Sequence, residues 1–138
     1  MMRTILFVCV HNSGRSQIAQ TLFNRIAEEQ GLPYRAISAG TRPSQAINPV
    51  VVQVMGEIGI SMEGSRPQPL TAEIAGSAFR SITMGCGVNS DACPANFLTS
   101  EDWGLMDPAG QPIEVVRRIR DEIQRRVESL ARSLALIP

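Results

Sequence analysis

Residues Thr4 to Val8 form an unbroken run of β-forming residues, and Cys9 follows directly. A run without polar alternation suits a strand covered on both faces, as inside a parallel sheet. A polar loop from Cys9 to Arg15 comes next. Ile18, Leu22, Phe23 and Ile26 then recur at helical spacing, with Gln17, Thr21, Asn24, Arg25 and Glu28 between them. The first thirty residues therefore predict strand, loop and amphipathic helix, with Gly31 as the C-terminal cap.

The alternation continues along the chain. Tyr34 to Ser38 reads as a second strand. Asn48-Pro49 offers an N-cap and a proline at the first helical position, and Val51, Val52, Met55 and Ile58 continue a helix that Gly59 ends. Ser61 to Pro69, with Gly64, Pro67 and Pro69, reads as a surface loop. Thr71 caps a short helix through Gly76. Phe79 to Met84 predicts a third strand, weakened by Arg80 and Ser81, and Phe97-Leu98 a further short one. From Ile113 a single helix dominates, with Val116, Ile119, Ile123, Val127, Leu130 and Leu134 on one face and the arginine clusters on its solvated face. This order predicts an α/β fold with a mostly parallel sheet. At 138 residues, one domain spanning residues 1–138 is expected.

Thirteen arginines balance thirteen acidic residues, and lysine is absent. A neutral chain lacks the positive field of a general nucleic-acid or anionic-membrane binder. No apolar run approaches the roughly 20 residues that span a bilayer. Ile5 to Val10 is too short for the apolar core of a signal peptide, so a cytoplasmic location is expected. The chain presents no oligomer seam and is expected to be monomeric. Three cysteines, an odd number without an export signal, argue against a structural disulfide framework and for metal or redox chemistry.

A strand that ends in Cys9 before a turn and a helix puts that cysteine at the carboxyl edge of the sheet, where open α/β sheets bind ligands. The amides of Val10, His11, Asn12, Ser13 and Gly14 and the start of the next helix favour an anion there. Arg15 can clasp two oxygens of a tetrahedral oxyanion. Ser16 can donate its hydroxyl to the Cys9 sulfur. All of these stabilise negative charge, so they favour a thiolate as well as a bound oxyanion. A buried cysteine that merely packs is the plain alternative, and the whole string Cys9-Val10-His11-Asn12-Ser13-Gly14-Arg15-Ser16 outweighs it. His11 has two readings, a base or a loop-packing residue, and the second is preferred.

The segment Leu6 to Gln20 resembles the phosphate-binding loop of the low-molecular-weight protein tyrosine phosphatase fold. Within that fold it is most similar to the thioredoxin-coupled arsenate reductases. Asp107-Pro108-Ala109 before the last helix and the pair Cys86 and Cys93 after the third strand extend the likeness over nearly the whole chain. The resemblance implies a small three-layer α/β/α sandwich with a mostly parallel four-stranded sheet. It also implies reduction of arsenate, without a cofactor or a metal. Cys9 would attack arsenic, Arg15 and the loop amides would hold the oxyanion, and Asp107 would protonate the leaving oxygen. Asn12 would fix the loop and Ser16 the thiolate. Cys86 and then Cys93 would carry the oxidation to a Cys86–Cys93 disulfide that thioredoxin reduces. Phosphate or sulfate would bind the same loop as analogues.

Two implied roles have plain alternatives. Asp-Pro is a common turn and capping signal. Cys86 and Cys93 could be unrelated thiols near a turn. On a helix their Cα atoms would lie roughly 10 Å apart at 1.5 Å per residue, beyond the about 7 Å that a disulfide tolerates. Any helix there must unwind, and Gly85, Gly87 and Pro94 favour such a change.

The nearest rival function is a phosphatase acting on phosphotyrosine or a small phosphate ester. It would not need Cys86 and Cys93, and the Ala109 and Gly110 beside Asp107 offer no ring to stack on a phenyl group. A structural zinc module is disfavoured, because zinc needs four ligands and the only histidine is His11. Some relatives of the implied kind hold potassium beside the anion loop through carboxylates. The corresponding positions here are Gln20 and a place near Gln68, with Arg66 close by; Asn12 and Ser38 offer neutral oxygens. Neutral amides make a poor cation site, so insensitivity to potassium is expected. Arg66 itself is a candidate to replace the ion.

Overall fold

The computed structural model describes residues 2–85 and 101–137. Cys86, Cys93, Phe97 and Leu98 lie outside the described residues. The elements are β1 (Arg3–Cys9), α1 (Arg15–Gln30), β2 (Tyr34–Gly40), α2 (Pro49–Glu57), α3 (Ala72–Ser77), β3 (Arg80–Thr83), β4 (Glu101–Asp102) and α4 (Ile113–Ala135). The four strands form one all-parallel sheet in the order β2-β1-β3-β4.

The apolar run becomes the central strand. Ile5, Leu6, Phe7 and Val8 are fully buried, because neighbours pair on both sides and helices cover both faces. Ile5, Phe7 and Cys9 face a large core shared with α1, α2 and α4. Leu6 and Val8 face a smaller cluster that includes Ala39, Leu70 and Ile74 of α3. The architecture is thus three layers, one of them thin, since α3 has six residues and buries none of them. Phe7 stacks its ring between Phe23 at 6.3 Å and Trp103 at 5.6 Å, joining α1 to the segment after β4.

The caps follow their chemistry. Gly31 ends α1 in the left-handed region at φ 63°, donating to the carbonyls of Ala27 and Glu28. Asn48 accepts from Val50 N at 2.9 Å, and Thr71 accepts from Ile74 N at 3.1 Å.

The fourth strand is Glu101–Asp102, a charged strand with no apolar pattern to announce it. Two expectations need correction. The segment read as a surface loop is strapped to the sheet. Met62 is buried, Gly40 N donates to Gln68 O (2.9 Å) and Leu70 N donates to Gly40 O (2.8 Å). The Gln68 side chain also donates to Ser38 O at 2.7 Å. Nearer the start of β2, Asn24 of α1 both accepts from Ala36 N (2.7 Å) and donates to Ala36 O (3.0 Å).

The arginines of α4 are the second correction, since they do not all face water. Arg120 is buried and donates to Val54 O at 2.7 Å and to Glu57 at 2.9 Å. Arg117 adds a two-pronged link to Glu57, with bonds of 3.0 Å and 2.6 Å. No helix among the described residues is long and apolar enough to cross a membrane.

The Arg117 hydrogen bond, opposed by partial desolvation and aided by Arg120, holds the Glu57 carboxyl below the usual carboxylate range. The folded chain therefore binds the Glu57 proton less readily than the unfolded chain. This clasp stabilises the fold above the ordinary carboxylate range, and its contribution is lost as pH falls through the lowered folded value. Glu57→Gln is expected to lower the melting temperature at neutral pH and to converge with the parent chain in acid. Thermal unfolding of both proteins across that range is the check; an equal offset throughout would show that the link is not ionic in effect.

Candidate active site

The register sets Cys9, the last residue of β1, beside Gly40, the last of β2. Between Cys9 and Arg15 the chain makes a tight loop whose carbonyls turn toward residues 41–48. Thr41 N donates to Cys9 O, Arg42 N to Val10 O, Ser44 N to His11 O and Asn48 N to Ser13 O, at 2.8–3.3 Å. With those carbonyls taken, the loop amides and the first turn of α1 are the polar groups left for an anion. Asn12 makes the turn at φ 52°, a left-handed conformation that asparagine tolerates better than most residues. His11 is half-buried, and its Nδ1 bonds Arg42 O at 3.1 Å. A carbonyl can only accept, so Nδ1 carries the hydrogen and the ring fastens the loop to its neighbour.

The Cys9 sulfur is almost fully buried. It lies 3.2 Å from Asn12 N and 2.9 Å from Ser16 Oγ. The direction of the second bond follows from the network behind it. Gln68 N, a backbone donor, bonds Asn12 Oδ1 at 2.9 Å, so the Asn12 oxygen is on that side. Gln17 Nε2 donates to the same oxygen at 3.1 Å. Asn12 Nδ2 therefore faces Ser16 Oγ and donates to it at 2.7 Å. Against an ionised sulfur the Ser16 hydroxyl can only donate. Three side chains, Ser16, Asn12 and Gln17, and the backbone amides of Asn12 and Gln68 thus line up their dipoles toward the Cys9 sulfur.

Arg15 is 2% exposed. Its Nη1 donates to Leu105 O at 2.9 Å and to Met84 O at 3.3 Å. Nη2 lies 3.7 Å from Asp107 Oδ2, and buried Nε has no hydrogen-bond partner among the described residues. One end of the guanidinium is thus anchored on backbone, which leaves Nε–H and Nη2 as the bidentate edge for an oxyanion.

Asp107 uses its two carboxylate oxygens differently. Oδ1 accepts from Ala109 N at 3.0 Å, which makes the turn, and Oδ2 points toward Arg15. Buried Pro108 presses on Gly14, where an added Cβ would meet Pro108 Cγ at 2.8 Å. The structure therefore brings Cys9, Asn12, Arg15, Ser16 and Asp107 together around one loop; Cys86 and Cys93 lie outside the described residues.

Sequence reasoning missed Gln17, Gly40 and Leu105. Gln17 sat among the polar residues of an amphipathic helix, yet it is buried and also donates to Arg66 O at 3.1 Å. Nothing marks Leu105, which serves through its backbone. Arg66 is exposed and meets the network through its carbonyl, so it does not take a cation's place; the Gln17 amide meets those oxygens instead. Ser38 donates to Gln20 Oε1, and its carbonyl already accepts from Gln68. Among the described residues no three His, Cys, Asp or Glu side chains gather as metal ligands.

Two outcomes are expected. Gly40 has no room for a side chain, since a Cβ would stand 2.7 Å from Val10 O and 3.0 Å from Asn12 N. Gly40→Ala should destabilise the chain by about 1–3 kcal/mol through overpacking, and should reduce the rise in melting temperature that phosphate produces. A full phosphate response in this variant would show that the loop does not depend on the contact. Exchanging sodium for potassium at constant ionic strength should leave melting temperature and activity unchanged, because amide donors already meet the oxygens around Asn12. A potassium-specific rise would refute this.

Comparison with known proteins places this geometry in a family. The model of the low molecular weight phosphotyrosine protein phosphatases matches residues 4–136. A glutaredoxin arsenate reductase of Synechocystis sp. is 35% identical over 133 residues, 94% of this chain and 96% of its own. A thioredoxin-dependent arsenate reductase of Corynebacterium glutamicum is 34% identical, with a TM-score of 0.76 over 98% of this chain and 63% of its own. A YwlE arginine phosphatase, solved with a phosphorylated active-site serine in place of cysteine, is 27% identical with a TM-score of 0.84 over 96% of each chain. The parallel sheet, the cysteine-to-arginine loop and the match across residues 4–136 make this chain a member of the low molecular weight phosphotyrosine protein phosphatase family.

Proposed function

We propose that this chain reduces arsenate to arsenite by a three-cysteine relay within a single domain, residues 1–138, acting as a monomer. The loop amides from Val10 to Ser16 and the Nε/Nη2 edge of Arg15 hold the oxyanion, which phosphate or sulfate can mimic. The Cys9 thiolate forms a bond to arsenic, an As–O bond breaks, and the departing oxygen takes a proton from Asp107 and leaves as water. Cys86 then attacks the Cys9 sulfur. An S–S bond forms, the S–As bond breaks, and its electron pair stays on arsenic, taking As(V) to As(III). Cys93 attacks Cys86, freeing the Cys9 thiolate and leaving Cys86–Cys93. A thioredoxin dithiol reduces that bond and takes up the oxidation. No cofactor or metal is needed, since the electrons come from thiols.

The observation that favours this reading over hydrolysis is the cysteine pair at 86 and 93, which follows β3 and which ester cleavage does not require. The relatives support it, in that two similar proteins are named as arsenate reductases linked to glutaredoxin and to thioredoxin. Reduction by such a partner suits the reducing cytoplasm. The second reading, a phosphatase of small or protein-borne phosphate esters, is favoured by the high TM-score to a phosphatase and shares Cys9, Arg15 and Asp107.

Cys9→Ser is expected to abolish both arsenate turnover and aryl phosphate hydrolysis. Cys93→Ser should take up one arsenate and stop with a Cys9–Cys86 disulfide, detected by non-reducing peptide mapping. Normal arsenate turnover in Cys9→Ser would exclude both readings, since both use that nucleophile; no Cys9–Cys86 link in Cys93→Ser would exclude the relay and leave the phosphatase reading.

A further inference from the structure

The carboxylate of Asp102 has no part in the chemistry above, yet it binds two groups from β3 and its end. Its Oδ1 accepts from Thr83 Oγ1 at 2.6 Å and from Gly85 N at 3.0 Å. Thr83 is fully buried, and its register partner across the sheet is Asp102 itself. Among the described residues β3 and β4 pair at two positions, Ile82 with Glu101 and Thr83 with Asp102. The side-chain bond carries this link two residues past the strand, to Gly85.

Gly85 sits under close constraint. It adopts φ 108°, and a Cβ on it would stand 2.8 Å from Leu105 O, 3.0 Å from Leu105 N and 3.2 Å from Arg15 Nη1. Leu105 N donates to Met84 O at 2.9 Å, and Arg15 Nη1 reaches both Met84 O and Leu105 O. The chain thus passes against the anion-binding arginine at Gly85, with its amide held by Asp102. Cys86 is joined to Gly85 by the next peptide bond.

We propose that Asp102 is a positioning residue for the second chemical step. By holding the Gly85 amide beside Arg15, it fixes the point from which Cys86 starts toward the Cys9 sulfur. This rests on the relay reading above. A thiol displacement needs an in-line approach to the sulfur, and a misplacement of about 1 Å can slow such a step a hundredfold. The hydrogen bonds of the anion loop go to groups other than Asp102: Cys9 meets Ser16 Oγ and Asn12 N, Asn12 Nδ2 meets Ser16, and Arg15 meets the carbonyls of Met84 and Leu105. Asp102 therefore acts on disulfide formation and not on oxyanion binding. An asparagine keeps the accepting Oδ1, so it retains the function that alanine removes.

The experiment compares Asp102→Ala and Asp102→Asn with the parent chain, each in the Cys93→Ser background, so that the reaction stops at one disulfide. Oxyanion binding is read as the rise in melting temperature with inorganic phosphate. The relay step is read as the single-turnover rate of Cys9–Cys86 formation after arsenate, by acid quench, thiol alkylation and peptide mapping. Asp102→Ala should keep the phosphate response while forming the disulfide at least about tenfold more slowly, and Asp102→Asn should recover to within about threefold of the parent. A parental rate in Asp102→Ala overturns the proposal. So does a lost phosphate response, which would make Asp102 a support of the whole loop. Failure of the parent background itself to form Cys9–Cys86 would instead remove the relay, and this proposal with it.

Discussion

A guanidinium buried to 2% exposure is the constraint around which the site is arranged. Burying an ion carries a penalty of several kcal/mol unless hydrogen bonds and opposite charge offset it. For Arg15 those partners come from far along the chain: the carbonyl at the end of β3, the carbonyl of Leu105 after β4, and the carboxylate of Asp107. One charge near the start of the chain thereby fixes where three later segments must lie. The compensation is incomplete by design of the geometry, since Nε remains unpartnered among the described residues. The oxyanion proposed above would complete it, and affinity for that ligand and tolerance of the buried charge would then share one cause.

The other half of the site is held by support that reaches well beyond the loop. Asn48, the N-cap of α2, donates its amide to Ser13, and Val51 of α2 lies against the position where Gly14 would carry a side chain. At its other end α2 is fastened to α4 by Glu57, Arg117 and Arg120. The helix is therefore clamped at both ends, one to the loop and one to the longest helix. Preorganised amides act on an anion only to the extent that such supports prevent them from relaxing.

Much of this was legible in the residues. The run Ile5–Val8, the caps Asn48, Thr71 and Gly31, and the inward stripe of α4 state their structure through local chemistry, because period and capping are short-range properties. The local contacts of the loop from Cys9 to Ser16 were equally plain, since they join residues close in sequence. What stayed hidden depends on contacts between distant segments. β4 is two charged residues whose strand character comes from pairing with Ile82 and Thr83. Gln17 looks like any polar helix residue until the chain at residues 66–68 folds over it. Arg120 matched a solvated pattern, but the approach of α2 encloses it and provides an acceptor for its charge. Leu105 contributes a carbonyl, which no side-chain pattern can announce.

The sheet order leaves β2 at an edge, and the bonds along it are worth following. Ala36 is engaged through both backbone groups by Asn24, Ser38 through its carbonyl by Gln68, and Gly40 through both groups by Gln68 and Leu70. These are alternate residues, the period at which a strand turns its polar groups to one side. An open edge of this length is ordinarily a template on which a second chain can add a strand and begin aggregation. Here a helix side chain and a strap of coil occupy the template in advance. The strap also supplies the Gln68 amide that orients Asn12 in the anion loop. A change that loosened residues 66–70 would therefore uncover a sticky edge in the same event that disordered the catalytic loop, so loss of activity and loss of solubility would travel together in this chain.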